Sequence, residues 1–221
     1  LSIDGGCEHS DDLDDVLSNN ISCVIICTTT PTHYNLTMKC LEAGKHVLCE
    51  KPLGKTIDEI KNCFLMATEK KVKLLIAYQK RFDNNYNKLY ELLQKGKKNG
   101  YIINNINCIT RDHPIPTLKY LYTSNGIVED MISHDIDITN LYMDFKKPIK
   151  VITFTDTKNA SLKENNEIEN IQIMMQYDDG TIVNLSGSRD SKHGYDQRVE
   201  IFGNFGMYKL ENQIDNNISY Y

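Results

Sequence analysis

Short apolar runs alternate with helical segments along the first third of the chain, and this alternation constrains the fold more than any other feature. The runs 23–27, 46–49 and 72–77 are short, apolar and bounded by turn residues, as strands are. The segments 35–43 and 57–67 between them repeat apolar residues at the spacing of a helix. Strands that are joined through helices run parallel, so the sequence predicts a Rossmann-type, doubly wound α/β domain. The wholly apolar run 23–27 suits a strand that is buried on both faces.

The chain changes character after residue 81. A helix is predicted over 128–142, and later apolar runs are separated by the turn signals Asp178-Asp179-Gly180 and Gly203-Asn204. Strands joined by such short turns must be antiparallel. We therefore expect two domains, 1–81 and 82–221, of which the second is an α+β domain built on an open antiparallel sheet.

Composition narrows the classes of partner. The chain has 221 residues and a formal net charge of -5, so it has no general attraction for nucleic acid or for an anionic membrane. No apolar run approaches the length of a membrane span. The seven cysteines form no C-x-x-C pair, and Cys23, Cys27 and Cys49 lie in apolar runs where a reduced thiol packs as a small hydrophobic group. These features predict a protein of a reducing compartment, most simply the cytoplasm.

Two groups of residues indicate a ligand-binding or catalytic site. The segments 28–33 and 50–52 follow predicted parallel strands, at the edge where open α/β sheets bind ligands. A lone lysine there usually only hydrates the strand end, but Lys51 stands between Glu50 and Pro52. On the predicted helix, Asp130 and His134 are four residues apart, so one carboxylate can orient the imidazole. Histidine suits general-base catalysis because its ordinary pKa is near neutrality.

These segments carry a resemblance to a known family. The matching blocks are Thr30-Pro31-Thr32-His33, residues 43–52 with Glu50-Lys51-Pro52, Tyr78 to Asp83, Arg111-Asp112, Gly126 to Asp135 and Gly194 to Glu200. Together they resemble the glucose-fructose oxidoreductase and inositol dehydrogenase (Gfo/Idh/MocA) family, most of all its myo-inositol 2-dehydrogenase-like members.

The resemblance implies an NAD(P)-dependent oxidoreductase that transfers a hydride between the nicotinamide and a secondary alcohol of a sugar or cyclitol. Domain 1–81 would bind the dinucleotide, and domain 82–221 would bind the polyol and form a homodimer or homotetramer. The implied residues are Lys51, Asp130 and His134 for catalysis; Thr28, Thr30, Pro31, His33, Glu50, Lys51, Pro52 and Gln79 for the cofactor; Thr110, Asp112 and Tyr195 for the substrate; and no metal ligands.

The chain departs from the family pattern in one respect. The family's Gly-x-Gly-x-x-Gly turn, which holds the pyrophosphate, has no counterpart, since Gly5-Gly6 does not fit it. We expect that about fifty residues precede Leu1, the size of the first part of a dinucleotide fold, and that closing helices follow Tyr221. The choice between NAD and NADP stays open, because the strand that makes it is not in the sequence. A dihydrodiol or biliverdin-type reductase and a non-catalytic nucleotide-binding regulator remain as alternatives.

Overall fold

The computed structural model describes residues 9–18 and 20–212, and the backbone of 218–220. The chain divides into two compact units, Leu1–Ala77 and Tyr78–Tyr221. The α-helices are α1 (Leu13–Ser18), α2 (His33–Glu42), α3 (Ile57–Glu69), α4 (Asn84–Lys98), α5 (Leu118–Leu121), α6 (Ser133–Tyr142) and α7 (Ala160–Glu164). The strands are β1 (Cys23–Ile26), β2 (His46–Cys49), β3 (Leu74–Ile76), β4 (Ile103–Arg111), β5 (Lys150–Asp156), β6 (Asn170–Gln176), β7 (Ile182–Ser188), β8 (Asp196–Gly203), β9 (Met207–Glu211) and β10 (Ile218–Tyr220).

The first unit contains the parallel sheet that the alternating pattern predicts. Its strands are ordered β1-β2-β3, and both neighbouring pairs are parallel. The longer crossover helix, α3, begins with a capping box in which Thr56 and Glu59 satisfy each other's backbone N–H groups. Helices α2 and α3 contribute Leu41 and Cys63 to the core between them and the sheet. The Rossmann-type prediction is confirmed.

The expected burial of β1 on both faces is wrong. Val24 and Ile26 pack into the core, whereas Ile25 is 65% exposed and Cys23 is exposed. Successive side chains of a strand point to opposite faces, and α2 and α3 cover the face that carries Val24 and Ile26. Of the three cysteines expected to pack as hydrophobic groups, only Cys49 is buried.

The second unit is built on one seven-stranded sheet in the order β10-β9-β8-β4-β7-β6-β5. The strands that short turns connect are antiparallel, as predicted. The central pair differs, because β4 runs parallel to β7. The chain leaves β4 through the helical stretch that contains α5 and α6 before it enters the sheet again, and such a long connection permits a parallel pair. The open sheet is therefore mixed.

Helices cover one face of this sheet. The core on that face includes Ile106 and Leu185 from the strands, and Ile138 and Tyr142 from α6. The predicted helix over 128–142 begins as a π-helix, Val128–Ile132, which continues directly into α6. A π-turn inside a helix is rare and often lies at a functional site.

Candidate active site

The turn after β1 is a compact polar loop. Thr30–Thr32 forms a 3-10 helix with Pro31 at its start. The Thr32 hydroxyl donates its hydrogen to the Thr29 carbonyl over 2.8 Å. The Thr28 and Thr32 hydroxyl oxygens lie 2.6 Å apart, and because the Thr32 hydrogen is already used, Thr28 is the donor in this contact. Thr28 and Pro31 are exposed, whereas Thr30 is half-buried. The loop thus presents hydroxyl lone pairs at the carboxyl edge of the parallel sheet.

His33 lies beneath this loop rather than on its surface. Its side chain is 1% exposed, and its Nδ1 and Nε2 lie 2.8 Å from the Pro52 carbonyl oxygen and 3.0 Å from the Thr28 carbonyl oxygen. Both ring nitrogens are therefore engaged with the main chain. The ring joins the turn that follows β1 to the turn that follows β2.

The Glu50-Lys51-Pro52 segment forms that second turn. Glu50 continues the sheet by donating its backbone N–H to the Ile26 carbonyl over 2.9 Å. The Lys51 N–H donates to the Glu50 carboxylate over 3.2 Å, and the Lys51–Pro52 peptide bond is cis. Glu50 and Lys51 are half-buried and Pro52 is buried. Because carboxyl ends of parallel strands meet at one edge, this segment and the Thr28 loop share the edge predicted to bind a ligand.

The remaining predicted cofactor contact and the rest of the catalytic group belong to the second unit. Gln79 is exposed at the start of the 3-10 helix Gln79–Phe82. Asp130 lies in the π-helix, and His134 lies half-buried in the first turn of α6. The His134 ring stands edge-on to the Tyr78 ring, with centroids 6.0 Å apart.

Asp130 is held from two directions. Tyr120, on α5, donates its hydroxyl to one carboxylate oxygen over 2.6 Å. Arg189, just after β7, donates Nη1 to the other oxygen over 2.9 Å. Burial, reinforced by the hydrogen bond to Asp130 and by its negative charge, raises the pKa of Tyr120. The phenol therefore remains a neutral donor.

Asp135, the residue that follows His134, belongs to a buried polar network. Asp135 is fully buried and accepts hydrogen bonds from Lys80 Nζ at 2.6 Å and from the Thr110 hydroxyl at 2.5 Å. Gln197 accepts from Lys80 at 2.7 Å. Burial alone lowers the pKa of Lys80, but the charge and hydrogen bond of Asp135 raise it above its ordinary value, so Lys80 is a cation. The predicted substrate contact Thr110 thus lies inside this network.

The other two predicted substrate contacts lie nearer the surface. Tyr195 is exposed, and burial of part of its ring is the main cause that raises the pKa of its phenol. Asp112 is half-buried just beyond β4, with its backbone N–H bonded to the Ser188 carbonyl. In the segment with Tyr195, Asp196 is fully buried and pairs with both Arg111 and Arg198. Arg198 therefore has a structural role, as an ion-pair partner of Asp196.

Sequence reasoning missed Tyr120, Arg189 and Asp135, which surround the predicted catalytic segment. Only the position of Asp135 directly after His134 gave a signal that could have been used. Among the residues that the structure describes, no group of three or more His, Cys, Asp or Glu is arranged to hold a metal ion. Within the same residues, no helix combines the length and apolar character needed to cross a membrane.

The fold and these residues define a class of protein, in which a parallel Rossmann-type unit is followed by a unit with a mixed sheet. Residues 3–78 match the model described as oxidoreductase family, NAD-binding Rossmann fold. Residues 103–209 match the model of the GFO/IDH/MocA C-terminal domain. The chain therefore belongs to the Gfo/Idh/MocA oxidoreductase family.

Individual relatives agree with this assignment. The chain is 29% identical to an inositol 2-dehydrogenase of Rhizobium meliloti over 88% of its own length and 58% of the relative's. It is 28% identical to a myo-inositol 2-dehydrogenase of Thermotoga maritima, over 87% and 57% of the two lengths. The crystal structure of a scyllo-inositol dehydrogenase from Lactobacillus casei, with bound NAD(H) and scyllo-inositol, superimposes with a TM-score of 0.81 at 27% identity, over 95% of this chain and 66% of that one. The chain thus spans less than two thirds of the length of these curated relatives.

Proposed function

We propose that the protein is an NAD(P)-dependent dehydrogenase that oxidises a secondary alcohol of a cyclic polyol or sugar, with an inositol as the substrate class. The observation that carries the proposal is the similarity to inositol 2-dehydrogenases, which extends over most of this chain and over 57–58% of the relatives' own length. The polar turns after β1 and β2 and the Asp130–His134 segment support it. In this proposal the first domain, 1–81, binds the dinucleotide and the second, 82–221, binds the polyol.

The residues at the edge of the parallel sheet fit the nicotinamide part of a dinucleotide. The Thr28 hydroxyl is exposed and offers lone pairs to an amide donor. Glu50 and Lys51 add a carboxylate and an ammonium group at the same edge, and Pro52 closes the turn. We propose that Thr28, Thr30, Pro31, Glu50, Lys51, Pro52 and Gln79 line the cofactor site. His33 supports that site from below, because its ring is buried between two carbonyl groups.

A nicotinamide held by these residues would supply the acceptor for the hydride of the carbinol carbon. The hydroxyl proton then needs an acceptor, and His134 is the base that we assign. Asp130 orients the imidazole and stabilises its protonated form. Lys51 donates a hydrogen bond to the substrate oxygen as negative charge develops on it. The remaining hydroxyls of the polyol are bound by Asp112 and Tyr195, while Thr110 acts from within its network with Asp135.

Assembly and location are part of the same proposal. We propose a homodimer or homotetramer formed through the face of the seven-stranded sheet that, within the described residues, no helix covers. The residues Ile152, Phe154, Met174 and Ile182 share this face and are all exposed. We propose a cytoplasmic location because the six cysteines within the described residues are free thiols.

Cofactor binding and activity test the proposed function separately. The full-length protein is titrated with NADH and NADPH, and one of them should quench or shift fluorescence saturably at micromolar to millimolar concentrations. Oxidation of myo-inositol and scyllo-inositol is then followed by nicotinamide absorbance. Binding without activity on any polyol, sugar, dihydrodiol or biliverdin would favour the regulator. Reduction of biliverdin or oxidation of a dihydrodiol in place of inositol would favour the alternative reductase, and no binding of either cofactor would contradict the dehydrogenase.

A further inference from the structure

The Asp130 carboxylate contacts two residues, Arg189 and Tyr120, that the proposed function does not use. Arg189 is 0% exposed, and its Nη1 lies 2.9 Å from one oxygen of the Asp130 carboxylate. Tyr120 donates to the other oxygen over 2.6 Å. The carboxylate is therefore fixed in position by two donors on separate elements, one on α5 and one just after β7.

The Arg189–Asp130 pair is poorly built for stability alone. Arginine has five N–H donors, and no acceptor among the described residues meets its buried Nε or Nη2. A buried pair adds stability only when hydrogen bonds satisfy its remaining donors, and each unsatisfied donor is costly. What Arg189 does supply is a positive charge beside Asp130. That charge, together with the Tyr120 hydrogen bond, favours the ionised carboxylate.

The charged and titratable groups around this carboxylate come from three elements. Tyr120 belongs to α5, Arg189 follows β7, and Asp112 after β4 acts on Tyr120 through its charge. The π-helix that carries Asp130 continues into the first turn of α6, where His134 contacts the Tyr78 ring. A change in the charge of the Asp130 group is therefore a change within the segment that carries His134.

We propose that Arg189 and Tyr120 are positioning residues that hold Asp130 as an oriented, ionised carboxylate and act through it on His134. The inference rests on the proposed function, in which His134 is the base. The two residues touch neither substrate nor cofactor in this role. Arg189 partly neutralises the carboxylate, so that His134 loses its proton at a lower pH than it would beside an uncompensated Asp130.

Three substitutions separate this role from a structural one. Arg189→Met removes the charge, Arg189→Lys keeps the charge without the planar fork, and Tyr120→Phe removes only the hydroxyl. Arg111→Met is the matched control, because Arg111 also pairs with a buried aspartate, Asp196, but not with Asp130. The rate of inositol oxidation is measured against pH for each protein.

Arg189→Met should lower kcat by roughly tenfold to hundredfold, the usual cost of a lost hydrogen bond to a charged group. The KM for the cofactor should stay unchanged. The acid limb of the kcat profile should move to higher pH, because an uncompensated Asp130 favours protonated His134. Tyr120→Phe should move the acid limb in the same direction but by less. Arg189→Lys keeps the charge, so its acid limb should lie at the pH of the parent, and its kcat should lie between those of Arg189→Met and the parent. The Arg111→Met limb should match the parent.

The inference would be overturned if the acid limb of the kcat profile kept its pH in both Arg189→Met and Tyr120→Phe. It would also be overturned if the limb moved as far in Arg111→Met as in Arg189→Met. If Arg189→Met does not fold, Tyr120→Phe tests the inference by itself. This variant is expected to fold because Phe keeps the ring of a half-exposed side chain. The effect of Tyr120 and Arg189 on His134 can also be measured without catalysis, as the midpoint of an NMR pH titration of the His134 imidazole. The His134 signal is assigned by its absence from the spectrum of His134→Asn. A midpoint that is the same in parent and Tyr120→Phe contradicts this inference alone. Absence of cofactor binding and of polyol oxidation in the parent contradicts the proposed function instead.

Discussion

His134 is the residue whose loss tests the proposed chemistry most directly. His134→Ala should lower kcat for inositol oxidation by roughly a hundredfold to ten-thousandfold, the span expected for a lost general base. Cofactor affinity should change little, because the nicotinamide site is assigned to other residues. The measurement is steady-state turnover with cofactor binding in parallel, and His9→Ala is the control, since the His9 side chain is 65% exposed. Near-normal turnover with the pH dependence of the parent would assign the base to another group.

The type of a polar residue does not by itself tell whether its side chain contacts a ligand. His33 and Thr110 are both predicted to contact a ligand, and in the structure their polar atoms also meet other parts of the protein. Each ring nitrogen of His33 lies within hydrogen-bond distance of a main-chain carbonyl oxygen, and the Thr110 hydroxyl donates to Asp135 and lies 3.0 Å from the Gln197 amide oxygen. A buried polar group must find a partner, and a sequence motif does not say whether that partner is a ligand or the fold.

At the scale of elements, β7 and the π-helix must approach each other closely. A Cβ atom at Gly187 would lie 2.5 Å from Ile132 Cδ1 and 3.0 Å from Ile171 Cγ2. Gly187 lies on the core face of β7, and Ile132 ends the π-helix that carries Asp130. The glycine therefore permits the contact that places the proposed catalytic segment against the sheet.

Gly187→Ala should lower the free energy of unfolding by about 1–3 kcal/mol, the usual cost of overpacking a core. It should also reduce kcat, because displacement of Ile132 shifts the π-helix. Thermal or urea denaturation measures the first effect. Ser186→Ala, on the opposite face of the same strand, is the control; it removes only the exposed hydrogen bond from Gln172 and should change stability by about 1 kcal/mol or less. Equal stability of parent and Gly187→Ala would show that Ile132 repacks without cost.

At the scale of the whole molecule, the face of the seven-stranded sheet that carries exposed apolar side chains among the described residues predicts self-association. Phe154 is 70% exposed, and Met174 lies opposite Ile152 on the same face. Contiguous apolar surface of this kind usually marks an interface, and homo-oligomers usually pair identical faces.

A lysine on this face should therefore weaken the assembly. The double substitution Phe154→Lys and Met174→Lys should shift the sedimentation coefficient at tens of micromolar from that of a dimer or tetramer toward that of a monomer. Leu65→Lys, at an exposed apolar position on α3, should leave the assembly intact. A parent protein that sediments as a monomer at that concentration would contradict the proposed oligomer.

The sequence by itself determined the parallel sheet of the first unit, the strands and turns of the second, and the motifs that follow β1 and β2. These features follow from residue spacing and turn chemistry, which are local properties of the chain. Only the tertiary structure placed β4 between β7 and β8, left Ile25 exposed and converted the start of the predicted helix into a π-helix. It also decided which cation meets which carboxylate: Lys80 meets Asp135 across 55 residues, and Arg189 meets Asp130 across 59. Such pairs depend on how distant elements pack, and a local pattern carries no record of that packing.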